Sequence, residues 1–225
     1  MARPRYDLLP PRIDDALEPV DVGGLGEGDS ITGSLLTGEA TGLEAADVDI
    51  AESRLVGCVL TAAVLERIRL IDVVVEGCEL SGASLDEAAL TRVELRDCRL
   101  SGLDLTDARL RDVRVSNCRL DGGSFRMVGT ELVEFEDVNL EGVDFTAAKL
   151  GGARFFGCDL TGADFSHADL RKARLHGSTL HDLKGAGSLK GVVIDSAQVF
   201  PLAPQVLKAL SITVDDERDG SGRRP

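Results

Sequence analysis

CDLTGADFSHADLRKARLHGSTL, residues 158–180, places a leucine or phenylalanine at every fifth position: Leu160, Phe165, Leu170, Leu175 and Leu180. A small residue stands two places before each of them: Cys158, Ala163, Ala168, Ala173 and Ser178. Five residues advance an α-helix by about 500°, so successive apolar pairs drift by about 140° and no stripe forms. On a flat strand an odd spacing sends successive apolar side chains to opposite faces. The pattern therefore requires a chain that bends once per repeat, so that every fifth side chain meets one central axis. The glycines and small polar residues between the centres suit such bends.

The beat extends far beyond this stretch. From Ile50 to Leu180, 26 of the 27 positions divisible by five are Leu, Ile, Val or Phe, and only Thr130 interrupts the series. Leu25, Leu35, Ala40 and Ala45 carry fainter traces of the phase toward the N-terminus. Repetition at a fixed period outweighs local propensity in deciding the architecture.

The cysteines give the number of sides. Cys58, Cys78, Cys98, Cys118 and Cys158 all lie two residues before a centre and multiples of 20 apart. On a four-sided coil they collect on one side, which random placement would achieve roughly once in 250 trials. Phe125, Phe145 and Phe165 share another side, and Phe135 and Phe155 the one opposite it. The sequence thus predicts an all-β, square-sectioned β-solenoid with turns stacked at about 4.8 Å. Nearly seven turns make a rod roughly 32 Å long. Stability in such a stack accumulates between neighbouring turns, and both ends need covers.

Composition narrows the function. The chain has 225 residues, 43% of them hydrophobic, and a formal net charge of −14. That charge argues against direct nucleic-acid binding, which needs a basic footprint, and against an anionic membrane surface. It suits a soluble protein that avoids self-association, or one that presents acidity to a basic partner. No window approaches the roughly 18 apolar residues of a membrane span, and the opening MARPRYDLLPPRIDD lacks the apolar run of a secretory signal. With an odd number of cysteines, this predicts reduced thiols and a cytoplasmic location.

The residues suggest no catalysis, metal or cofactor. The five cysteines read as a structural ladder of small buried hydrophobes. His167, His176 and His181 fall on three different sides of the coil, which does not assemble a metal site or a general base. Residues 23–28, GGLGEG, lack the preceding strand, following helix and lysine of a phosphate loop, and read as a flexible lead into the coil. No serine has a histidine suitably placed to activate it.

CDLTG, ADFSH and ADLRK are similar to the units of the pentapeptide-repeat family, whose pattern is small–Asp/Asn–Leu/Phe–Ser/Thr/Arg–Gly. The resemblance covers roughly residues 35–195. It implies the right-handed quadrilateral β-helix, the hand coming from the family alone. Beyond Leu180 the beat slips, and Leu189, Ile194 and Val199 continue it one residue early. Pro204 suits the opening of a helix, with Leu202, Val206, Leu207 and Leu210 as its apolar face, and Ile212 and Val214 alternate like a short strand. This segment, residues 194–214, resembles the C-terminal end of the quinolone-resistance pentapeptide proteins, with Ser211 in place of a glycine. In that subfamily the segment joins two copies end to end, so the resemblance implies a homodimer. A cap over the open end of the core is a compatible role for the same six residues.

The expected organisation is an extended N-terminal arm (1–24), the β-helix (25–199, regular over 50–180), a C-terminal helix and strand (200–214), and a disordered tail (215–225). The acidic run Glu131, Glu134, Glu136, Asp137, Glu141 and Asp144 is the candidate partner-binding surface. Arg109, Arg111, Arg114, Arg119 and Arg126 form a basic-leaning zone before it. The resemblance implies a DNA mimic acting on DNA gyrase, like the loop-free members that inhibit it. A generic interaction scaffold with an unrelated protein partner is the alternative, because a fold hosts many functions.

Overall fold

Each five-residue unit turns one corner, and the backbone shows how. The residue two places after a centre repeatedly takes a left-handed conformation, as at Asp72 (φ 57°), Arg92 (53°), Asp112 (52°) and Leu132 (58°). Aspartate and asparagine tolerate this region better than other side chains, and they hold the corners at Asp47, Asp97, Asp107, Asn117 and Asp137. The side chains on either side of the corner then point to the axis, and the square section follows.

The computed structural model describes residues 7–214. Its strands are β1 (Glu18–Asp21), β2 (Ser30–Thr32), β3 (Ser34–Thr37), β4 (Glu44–Ala46), β5 (Asp49–Val56) and β6 (Val64–Glu66). There follow β7 (Arg69–Glu76), β8 (Ala89–Arg96), β9 (Arg109–Ser116), β10 (Gly129–Glu136), β11 (Arg154–Phe156) and the helix α1 (Val199–Ala209). The pairing is parallel, and the main sheet runs β1-β3-β5-β7-β8-β9-β10-β11, with β2 also on β5. From β5 as far as Asp164 the paired residues are 20 places apart: Leu70 on Leu90, Leu90 on Leu110, Phe135 on Phe155. The eight-residue strands bend across a corner and so supply two sides of the square. On the other two sides, β4 pairs with β6 and single bridges such as Asp104 to Ser124 and Arg99 to Arg119 continue the ladder. The result is a parallel β-solenoid of stacked 20-residue turns.

The core is a single axial column whose filling changes along the rod. Phe135 and Phe155 stack at 4.9 Å, Phe145 and Phe165 at 5.0 Å, and the two stacks meet edge to face, with Phe145 and Phe155 5.9 Å apart. Toward the N-terminus leucines occupy the same positions and leave a narrow apolar void of about 40 Å³, bounded by Leu55 to Phe125. Leucine reaches less far across the axis than a phenyl ring.

Several expectations change at the ends. The coil begins at Glu18 rather than at residue 25, because β1 pairs with β3. Leu36, not Leu35, is the inward residue: it is fully buried and stacks on Leu55, while Leu35 lies beside Arg54. The phase is regained by Ala40, whose amide bonds to the Val59 carbonyl. Residues 22–24 form a 3-10 turn capped by Asp21, so the glycine-rich lead is ordered. Thr130 stacks on Leu110, and its hydroxyl donates to the Lys149 carbonyl (2.9 Å), which satisfies the polar group.

At the C-terminus, Ile194 keeps the shifted beat above Leu175, whose amide bonds to Val193. Val199 does not continue it and is half exposed as the first residue of α1. The helix therefore starts five residues before Pro204, and Pro201 occupies its first turn, where a missing N–H costs nothing. Ile212 and Val214 form no strand: Ser211 turns left-handed (φ 55°) and the Ile212 amide bonds back to the Leu207 carbonyl of the helix (2.9 Å). The tail expected at 215–225 lies outside the described residues.

Candidate functional site

The outward side chains follow the same 20-residue register, so charge is best followed along the rod. On the side that carries Leu105, Phe125, Phe145 and Phe165, the outward residues are Glu44, Asp47, Glu66, Asp86, Glu87, Asp104, Asp107, Asp144 and Asp164. Only Arg67, Arg126 and Lys184 oppose them there. Bridges place Asp104, Asp144 and Asp164 in one axial column, with Ser124 between the first two. Some of these carboxylates also hold corners: Asp104 accepts from the Thr106 amide (2.9 Å) and Asp144 from the Thr146 amide (2.8 Å). Asp47 pairs with Arg67 (2.8 Å), whose hydrogen bond holds its carboxyl below the usual range. Glu66 also meets Arg67 (3.2 Å), Asp164 accepts from the Ser166 amide (2.8 Å), Asp86 is half buried, and Glu44, Glu87 and Asp107 face solvent.

On the opposite side, arginine and carboxylate alternate from turn to turn. Glu134 is buried between Arg114 (3.1 Å) and Arg154 (3.0 Å), and Arg96 meets Glu76 at 2.9 Å. A carboxylate held in this way by two arginines has little left to offer a partner.

The six acidic residues of the sequence run are consequently not one surface. They are spread over all four sides of the coil. Glu131 pairs with Arg111 (3.4 Å), Glu134 is enclosed, and Asp144 pairs with Arg126 (2.9 Å). Glu136, Asp137 and Glu141 remain exposed. The basic zone is equally occupied, since Arg111, Arg114 and Arg126 hold those acids and Arg119 pairs with Asp121 (2.7 Å). The axial acidic side was missed because its members are far apart in sequence; reading every twentieth residue would have found it.

The cysteines are free and buried in one column. Their thiols donate to carbonyls of the preceding turn, as from Cys58 to Leu36 (3.3 Å) and from Cys158 to Phe135 (3.5 Å). The amides of Cys58 and Cys98 donate to the sulfurs of Cys78 (3.3 Å) and Cys118 (3.4 Å). Ser178 continues the column by the same bonds, accepting from the Cys158 amide (3.1 Å) and donating to Phe155 (3.2 Å). Burial pushes the Cys158 thiol up to about 11, which leaves almost no thiolate at neutral pH. Among the described residues, no group of three His, Cys, Asp or Glu side chains is arranged to hold a metal.

The C-terminal segment divides into two faces. Leu202 is buried and Val206 packs on the core, while Leu207 is half buried. Gln198 plugs the last turn: its amide donates to the Leu175 and Ser178 carbonyls (2.6 Å for the latter), and its oxygen accepts from Asp195 (2.9 Å). Leu210, Ile212 and Val214 are exposed at 63%, 49% and 70%, and Phe200, absent from the sequence reading, at 86%. Beside α1, Asp182–Ala186, Pro204, Gln205 and Lys208 line an open cleft of about 700 Å³.

No helix among the described residues is long and apolar enough to cross a membrane. No curated protein matches the chain. Among solved structures it is similar to trypsin-treated QnrB1, a plasmid-mediated fluoroquinolone resistance protein: 23% identity, 84% of this chain and 99% of that one covered, TM-score 0.44. It is also similar to the pentapeptide repeat protein Rfr23 of the cyanobacterium Cyanothece 51142, at 20% identity, with 63% and 91% covered and a TM-score of 0.33. A pentapeptide repeat protein of the Arabidopsis thaliana thylakoid lumen matches at 19% identity, with 57% and 72% covered and a TM-score of 0.27. The model of the pentapeptide repeat region matches residues 48–125, and that of pentapeptide repeats in eight copies matches residues 135–182, together more than half of the chain. With its five-residue period and its stacked 20-residue turns, the chain belongs to the pentapeptide-repeat family.

Proposed function

We propose that this is a non-enzymatic, partner-binding protein whose acidic side occupies a basic cleft, as a DNA mimic on a type II topoisomerase such as DNA gyrase. The observation that carries the reading is the axial alignment of Glu44, Asp47, Glu66, Asp86, Glu87, Asp104 and Asp107 on one side, whereas on the opposite side Glu76 and Glu134 are taken up by Arg96, Arg114 and Arg154. Carboxylates recurring at turn spacing along a rod roughly 32 Å long present a partner with an extended one-sided negative field. The field is sparser than that of duplex DNA, which carries a charge per about 1.7 Å. The contact is therefore expected to weaken with salt.

Purified protein at micromolar concentration is expected to inhibit gyrase supercoiling. The variant Glu44→Gln/Glu66→Gln/Glu87→Gln/Asp107→Asn, altered only at exposed acids, should need about tenfold more protein for the same effect. Wild-type protein that neither inhibits nor co-purifies with gyrase would sink the mimic and leave the scaffold reading.

The exposed Phe200, Leu210, Ile212 and Val214 support an end-to-end homodimer, since a monomer would leave these side chains in water. Light scattering should give a dimer for the wild type and a monomer for Phe200→Asp/Leu210→Asp; a wild-type monomer refutes this part.

A further inference from the structure

Residues 7–17 run up the outside of the coil. The Arg12 amide donates to Asp72 Oδ1 (3.0 Å) and the Leu9 amide to Asp112 Oδ1 (3.1 Å). Asp72 and Asp112 occupy the same corner two turns apart, about 9.6 Å along the axis. Both are buried, and Arg92 on the intervening turn fixes Asp72 through two bonds of 2.6 Å.

Between Leu9 and Arg12 lie Pro10 and Pro11, which have no N–H to donate. The amides of this stretch are thus limited to those that meet the two carboxylates. A polyproline II chain rises about 3.1 Å per residue with three residues per turn, so its every third amide recurs on one face at about 9.3 Å. That repeat matches two turns of the coil. Leu8, Pro11, Ile13 and Leu17 are half buried, whereas Leu9, Pro10 and Arg12 are exposed. Among the described residues, 7–17 take part in no backbone ladder, and the first such bond is made by Glu18.

We propose that the corner marked by Asp72 and Asp112 is a docking track for an extended, proline-containing segment, and that residues 7–17 of this chain are its resident, detachable occupant. The track reads backbone amides at a three-residue spacing and tolerates any side chain that points away, so it fits polyproline II segments as a class. This goes beyond the acidic side, which lies elsewhere on the rod, and the experiment does not involve gyrase.

Limited trypsin digestion of the full chain, with mass spectrometry of the Arg12–Ile13 cleavage, tests it. Wild-type protein should be cut at least about tenfold more slowly than the free peptide of residues 1–17. Asp112→Gly should bring the rate to within about threefold of that peptide. Glycine accepts the left-handed corner, so the coil itself should melt unchanged. Pro10→Gly/Pro11→Gly, compared with its own free peptide, should release the segment equally. Wild-type cleavage as fast as the free peptide overturns docking. Cleavage in Asp112→Gly as slow as in wild type overturns the carboxylate track, and an unaltered rate in the double glycine variant overturns the polyproline II fit.

Discussion

Replacing Phe145 with alanine is expected to cost about 3–5 kcal/mol of unfolding free energy, measured by urea denaturation. Its ring is fully buried, stacked on Phe165 at 5.0 Å, 5.3 Å from Phe125 and edge-on to Phe155 at 5.9 Å. The walls around it are held by backbone ladders at a fixed turn spacing, so they cannot close on the space left behind. The N-terminal half, where leucine replaces phenylalanine, already shows the consequence in its void of about 40 Å³. Phe145→Leu should accordingly cost less, about 1–1.5 kcal/mol, because Leu65, Leu85 and Leu105 occupy the same side at full burial. A loss below about 1.5 kcal/mol for the alanine variant would show that the square section collapses after all.

Gly185→Ala is expected to destabilise the C-terminal cap by about 3 kcal/mol or more. Gly185 has a left-handed φ of 67°, and a Cβ there would stand 2.2 Å from the Ser166 amide nitrogen and 2.5 Å from the Phe165 carbonyl carbon. These are backbone atoms of the turn below, which no rotamer change can move aside. Gly177 supplies the comparison: its φ is 68°, but its Cβ would come no closer than 3.6 Å to any atom. Gly177→Ala should therefore cost only the left-handed penalty of about 1 kcal/mol. In the Gly185 variant, hydrogen exchange should show faster opening of the Gln198 side and of α1, with β7 to β10 still protected. Equal costs at the two glycines would remove the contact as the cause.

The architecture was legible because inward positions obey one variable, apolar or not, at fixed spacing. Cys58 to Cys158 and Phe125 to Phe165 could be assigned to sides by arithmetic alone, and the structure stacks them in columns. Legibility failed where the spacing changed. A single missing residue between Leu36 and Ala40 moved the inward position from Leu35 to Leu36. At the other end, Pro204 suggested a helix start, yet the 3-10 turn Ser196–Gln198, closed by its Asp195–Gln198 capping box, leads directly into α1 at Val199. Phe200 lies outside the apolar face that the sequence suggested, and it faces solvent while Leu202 and Gln198 close the core.

The sequence by itself determined the period, the four sides and the identity of the core. These depend on burial, which repeats locally and needs no knowledge of partners. Only the tertiary structure decided which acids are free. Glu134 looked like part of a binding run until Arg114 and Arg154, each 20 residues away, enclosed it. It also decided where the N-terminal segment lies, through contacts spanning 60 and 103 residues that no periodicity encodes. Outward side chains choose partners across turns by reach and geometry, so their roles exist only once the turns are stacked.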